Sequence, residues 1–188
     1  MKRPAQTLLA LVAALGFSAA QADAVNFAAV TASANVNTPD YAHDGVFPAE
    51  WTDWTTTTAW WTGFDESMVF EFDQVYVLTH YDVSLDNNDS YEIQFSLDGT
   101  TWGLSGAPVD LSIGAGEGNV GYGMDTFSGD IASIRAKYAR VMAVGGDGYN
   151  SVGELSFNAA PVPEPETYAL MLAGLGLVGF AARRRARD

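Results

Sequence analysis

The sequence predicts an all-β protein, an antiparallel β-sandwich or jelly roll, with an apolar helix expected at each end of the chain. Three observations carry that prediction. Apolar residues in the middle of the chain recur with a period of two, not 3.6. Clusters of turn-forming residues break these runs at short intervals. No long amphipathic helical pattern occurs between Asp23 and Ala160.

The N-terminal helix is expected to be temporary. Lys2 and Arg3 precede an apolar stretch from Thr7 to Phe17, and Ala20-Gln21-Ala22 supplies the small-x-small pattern of a signal-peptidase site. The apolar run is shorter than the ~20 residues of a spanning helix. Residues 1–22 therefore read as a signal peptide, cut after Ala22, and not as an anchor.

The strands follow. Met68, Phe70 and Phe72 alternate with polar neighbours. Val75, Val77, Thr79, Tyr81, Val83 and Leu85 alternate with Tyr76, Leu78, His80, Asp82 and Ser84. Tyr91, Ile93, Phe95 and Leu97 alternate with Glu92, Gln94, Ser96 and Asp98. Such runs fit half-buried antiparallel strands with the odd-numbered or even-numbered set facing the core. Asp86-Asn87-Asn88-Asp89 and Asp98-Gly99 carry turn chemistry between them. Ser105 to Gly129 is glycine-rich and reads as loops with one or two short strands. Tyr138–Val144 and Val152–Phe157 read as two further strands, joined by Gly145-Gly146-Asp147-Gly148. Residues 23–160 are enough for one compact domain with a core.

The far end has its own order. Pro161-Val162-Pro163-Glu164-Pro165 is a stiff linker, because each proline fixes φ and removes a donor. Tyr168 to Ala182 is apolar and is expected to be helical and to enter a bilayer, near the lower length limit for spanning one. Arg183, Arg184, Arg185 and Arg187 follow and are expected to stay cytoplasmic. This succession over residues 161–188 resembles the PEP-CTERM sorting signal. The resemblance implies processing by an exosortase at or near Pro163-Glu164-Pro165, from a membrane-inserted precursor. It also implies a Gram-negative, exopolysaccharide-producing host and a final place at the cell surface or in the matrix.

Charge narrows the partners of the body. The whole chain has a formal net charge of -14. Between the two ends, Arg135, Lys137 and Arg140 are the only lysine and arginine residues against twenty acids. A field of that sign argues against nucleic acid and anionic lipid. It suits solubility, cations and neutral partners. The absence of cysteine excludes disulfides, thiol catalysis and cysteine-ligated metals.

Landmarks in the body fall in a familiar order: Ala42-His43-Asp44-Gly45, then tryptophans at 51, 54, 60 and 61, then Phe70-Glu71-Phe72 and the Asp86–Asp89 turn. After these come Ser96-Leu97-Asp98-Gly99-Thr100-Thr101-Trp102, Ala139-Arg140-Val141-Met142, and Ser151-Val152-Gly153-Glu154-Leu155. Together they resemble the discoidin, or coagulation factor 5/8 C-terminal, type of domain, similar in fold to family 32 carbohydrate-binding modules. The resemblance implies a galactose-binding-like jelly roll. The family's usual Asp-Gly-Asp is here Asp44-Gly45-Val46.

That resemblance also implies a structural calcium ion held by Asp44 and Glu154, with Asp40 and carbonyls near Ala42 as helpers. The other reading makes Asp44 a turn residue and Glu154 an exposed strand residue. Sugar rings stack on indole and phenol faces while acids and amides bond the hydroxyls. Trp51, Trp54, Trp61, Tyr122 and Tyr149 are the candidate platform, with Trp60 or Trp61, and Trp102, as candidate core residues. Asp86 and Asn88 are candidates for hydroxyl bonds or a second ion, or else the turn is only solvated. No Gly-x-Ser-x-Gly elbow is present, and His43 and His80 stand in no triad context, so no catalytic residue is assigned. The expected function is a non-enzymatic, exported carbohydrate-binding domain whose partner is exopolysaccharide. A structural or adhesion protein without a sugar site is the alternative, and a glycan hydrolase a third.

Overall fold

The computed structural model describes residues 23–103, 111–114, 123–160, 172–177, 179–180 and 183–184. Among the described residues eight strands lie in the body: β1 Asp23–Ala24, β2 Phe27–Ala32, β3 Ala59–Thr62, β4 Ser67–Asp86, β5 Ser90–Ser96, β6 Leu111–Gly114, β7 Met124–Gly145 and β8 Tyr149–Ala160. A short 3-10 turn, Pro39–His43, lies between β2 and β3. Every strand pair is antiparallel.

β4 and β7 run for 20 and 22 residues, far beyond the usual strand of about 5–6 residues, because each serves both leaves of a sandwich. The change of leaf falls at the register break between Glu71 and Tyr76. Before it, Ser67–Glu71 pairs with β2 and with Tyr138–Met142, and β5 and β6 continue that leaf. After it, Tyr76–Asp86 pairs with Met124–Ala136 and with β8, whose other edge carries β1 and β3. The core fills the gap between the leaves. Phe157 of β8 meets Phe72 of β4 and Phe95 of β5, each at 5.7 Å between ring centroids. Trp61 of β3 meets Tyr91 of β5 edge-on at 6.3 Å.

The alternation expected for residues 75–85 is not continuous. Tyr76 and Leu78 face the core first, and then Val83 and Leu85 do. The register breaks between Leu78 and His80 and the faces swap: β4 carries one extra residue against β8, whereas β7 carries two extra residues against β4. Met68–Phe72 and the next run are one strand, not two. Leu97 lies outside the alternation and is exposed, because β5 ends at Ser96. There the Ser96 hydroxyl accepts the Asp98 and Gly99 N–H groups and closes the turn. Residues 124–129, read as loop, open β7, and β2 was not anticipated.

At the chain ends, Ala20, Ala22, Pro163, Glu164, Pro165 and Arg185 lie outside the described residues. Residues 172–177 and 179–180 of the apolar segment are helical, as are Arg183 and Arg184, and all of them are exposed. Among the described residues no helix is long and apolar enough to cross a membrane.

Candidate functional site

Four loops meet at one end of the sandwich: the segment before β3, the turn after β3, the β4–β5 turn and the β7–β8 turn. Their aromatic residues stand together. The Trp54 ring lies 5.6 Å from Trp60, edge-on, and 5.7 Å from Tyr149. Tyr149 is 53% exposed and Trp51 is 64% exposed. Phe64, which no sequence signal singled out, is also exposed and stands against Gly148. Backbone bonds fix the loops: Gly63 N donates to Gly148 O at 2.8 Å, and Trp51 N to Met124 O at 2.8 Å. The Thr58 hydroxyl holds the Trp54 carbonyl. Trp51 itself has φ 66°, a left-handed conformation that costs a bulky residue of order 1–2 kcal/mol. The chain therefore spends strain to present an exposed indole.

The β4–β5 turn is acidic and largely buried. Asp86, Asn87 and Asp89 are 2%, 1% and 0% exposed. Asp89 Oδ1 accepts the Asp147 N–H at 3.1 Å, and Asp147 Oδ2 accepts the Asn88 amide at 3.0 Å. Asp147 Oδ1 also accepts the Tyr149 N–H at 2.9 Å, so this turn positions the aromatic. Gly146, at φ 123°, lets the two turns touch, since a Cβ there would lie 2.8 Å from the Asp89 Cα and inside its carboxylate. Burial, with Asp89 and Asp147 adding repulsion, pushes Asp86 up to about 7. Burial, again with Asp147 opposing, pushes Asp89 up to about 6.

A second acidic pair lies on β8. Glu154, 3% exposed, accepts the Gly45 N–H through Oε2 at 2.9 Å. Burial pushes it up to about 7, with the Asp44 carboxylate beside it as the one charge that adds to the shift. Asp44 Oδ1 accepts the Val46 N–H at 2.9 Å. Two carboxylates held together with no base between them fit a hard cation completed by carbonyl oxygens. Glu154 is buried, not the exposed strand residue of the alternative reading. Asp40 is exposed in the 3-10 turn.

The open face of β4 and β7 carries an array that spacing did not reveal. His80 Nδ1 lies 2.9 Å from Asp130 Oδ1, and its Nε2 lies 3.1 Å from Ser128 Oγ. The order resembles a serine triad, but Ser128 donates its hydrogen to Asp82 Oδ1 at 2.6 Å. The one proton that His80 would have to abstract is thus held by a carboxylate. The Asp130 side chain is 94% exposed. These residues converge only because Ser128 and Asp130 oppose Asp82 and His80 in the ladder.

Trp51, Trp54, Tyr149 and Asn88 thus come to one end of the molecule, and Tyr122 lies outside the described residues. Trp61 does not belong there. It is 0% exposed in β3, where pairing with β8 turns it inward onto Tyr91, so its face meets no ligand. Asp86 is also withdrawn, because its position after Leu85 at the strand end folds it under the turn. Asp147, in the facing turn, is exposed. Trp102, expected in the core, is half-buried with the Arg140 guanidinium 4.4 Å above its ring.

Comparison with known proteins bears on both the tail and the body. Residues 161–185 match the PEP-CTERM protein-sorting motif. No curated protein matches the sequence. Among solved structures, the body is similar to "Truncated AlyQ with CBM32 and alginate lyase domains", at TM-score 0.54 and 16% identity, covering 76% of this chain and 35% of that one. It is similar to "CBM32 of AlyQ in complex with 4,5-unsaturated mannuronic acid", at TM-score 0.50 and 15% identity, covering 72% and 97%. It is also similar to a family 89 glycoside hydrolase from Clostridium perfringens in complex with 2-acetamido-1,2-dideoxynojirmycin, at TM-score 0.52 and 17% identity, covering 72% and 14%. The chain spans 35% of the first of these proteins and 14% of the third. The body has a jelly-roll fold similar to that of these CBM32-containing structures, and the tail carries a PEP-CTERM sorting motif.

Proposed function

We propose that this chain is an exported, exosortase-processed protein of the cell surface or matrix, and that its jelly roll binds exopolysaccharide without cleaving it. The observation that carries the sugar reading is the aromatic group at one end of the sandwich. Trp54 and Tyr149 sit side by side, Trp51 and Phe64 are exposed on the loops at the same end, and Asn88 and Asp147 link the adjoining turns. Pyranose rings stack on such faces, and the amide and carboxylate bond the hydroxyls. The fold supports the reading, since one similar module is in complex with an unsaturated mannuronic acid. The sorting motif supports export and the surface location. Asp44 and Glu154 would hold a structural calcium, which neutralises their mutual repulsion and ties the early loop to β8.

One experiment in the host tests both halves. With Pro163, Glu164 and Pro165 replaced by alanine, the unprocessed precursor is expected in the membrane fraction. With Trp54→Ala and Tyr149→Ala together, the chain is expected to be processed normally but released from the matrix into the medium. A matrix-bound double variant removes the sugar reading, and normal processing of the alanine tail removes the exosortase reading.

A further inference from the structure

The turn between β4 and β5 holds more buried oxygen than its hydrogen bonds account for. Asp86 Oδ1, Asn87 Oδ1 and Asn88 Oδ1 are buried, and among the described residues none has a hydrogen-bond donor within bonding geometry; the Asn87 and Asn88 N–H groups lie near the Asp86 carboxylate and only partly offset its burial. Asp86 is 2% exposed and Asn87 1% exposed. Asp89, fully buried, shares an interaction with Asp147 through the Asp147 N–H. Three carboxylates therefore lie in one another's field. The three lysine and arginine residues of the body are committed elsewhere or remote, and His80 is held by Asp130 and Ser128. Lys137 lies 3.4 Å from Glu71 and bonds the Phe72 carbonyl, Arg140 covers Trp102 and bonds Gln94, and Arg135 pairs across from Val77. Buried acceptors without donors and buried acids without a counter-charge are both costly, and one missing cation relieves both.

We propose that Asp86, Asn87, Asn88, Asp89 and Asp147 form a second cation site, separate from the Asp44–Glu154 pair, for a divalent ion of the calcium class. The donors are all oxygens, carboxylate and carboxamide, which suits a hard ion of high coordination number and not a transition metal. Among the described residues no three His, Cys, Asp or Glu side chains converge as a ready-made cage. The amide oxygens therefore complete the proposed ligand set, and binding would turn the carboxylates of the two touching turns toward one ion. Gly146 permits the contact between those turns. Because Asp147 also holds the Tyr149 N–H, the ion would fix the ring proposed to stack on sugar. That last consequence rests on the glycan reading, but the site itself does not.

The test uses the full chain in detergent, with calcium and terbium as probes, in wild-type and Glu154→Gln backgrounds so that the other pair is silenced. In the Glu154→Gln background calcium is expected to raise the melting temperature, and terbium to show emission sensitised through Tyr91, whose hydroxyl lies 3.5 Å from Asp89 Oδ2. Asp86→Asn is expected to weaken terbium binding at least tenfold and to abolish the calcium response. In chelator it should melt no lower than its parent, since a like charge is gone. Asp147→Asn, at an exposed position that does not endanger folding, is expected to weaken terbium binding as well. Terbium affinity and calcium response unchanged in Asp147→Asn, or no calcium response in the Glu154→Gln parent, overturns the proposal. Both readouts are independent of sugar, so failure to bind glycan leaves the outcome distinct.

Discussion

Neighbouring tryptophans have opposite fates in this protein. Trp61 is sealed between the leaves against Tyr91, while Trp54 lies at the rim against Tyr149. Trp61→Ala should cost about 3–5 kcal/mol, the range for removing a buried large aromatic. Trp54→Ala should stay within about 1 kcal/mol, since its ring is only half-buried. Urea unfolding of the two variants measures this, and equal losses would contradict the assignment. The sequence alone could not separate these rings. Residue type marks both as stacking candidates, and burial is set by a long-range partner: Trp61 pairs with Asn150, 89 positions along the chain. The Asp44–Glu154 pair was legible through family resemblance, whereas the Ser128–His80–Asp130 array depends on ladder register that no local spacing encodes.

Strand β4 shows what a period of two conveys and what it conceals. The alternation correctly marks an extended, half-buried segment, and Met68, Phe70 and Phe72 face the core as read. The bulge at Leu78–His80 escapes because both faces of residues 75–85 carry apolar side chains. Tyr76 and Leu78, apolar on the face read as polar, were the sign of it. Removing Thr79 should erase the bulge against β8, widen the mismatch against β7, and turn either Val83 and Leu85 or Tyr76 and Leu78 out of the core. The expected result is loss of cooperative unfolding and of the near-ultraviolet aromatic signal. A Thr79 deletion that retained a sharp transition would contradict the register. The first half of β7 was illegible for a different reason. Its exposed Thr126, Ser128 and Asp130 leave a weak pattern, and its strand state is imposed by pairing with β4.

At the scale of the whole molecule, an acidic body keeps buried acids without buried bases. Asp86 and Glu154 sit at about 7 and Asp89 at about 6, each chiefly through burial. These groups hold protons in the folded chain at pH values where the unfolded chain, with carboxyls near about 4, has lost them. The folded state binds the extra protons, so metal-free stability should fall as pH rises from about 4 to about 7. Melting in chelator should therefore be lower at about pH 8 than at about pH 5, and calcium should restore it at the higher pH, where the carboxylates are free to bind. A melting temperature flat with pH and indifferent to calcium would contradict this electrostatic account. The sorting tail and the sandwich were legible because order and periodicity are local. The ligand-facing end was legible only in part, because four separate loops build it. The most direct measurement of that end is affinity electrophoresis of the calcium-loaded protein through gels containing exopolysaccharide from its host. Wild type should be retarded, and the Trp54→Ala, Tyr149→Ala double variant should lose at least about tenfold in affinity, about 1.4 kcal/mol, while melting as wild type does. Equal retardation of the two proteins, or none of wild type, would contradict the claim that this aromatic end binds glycan.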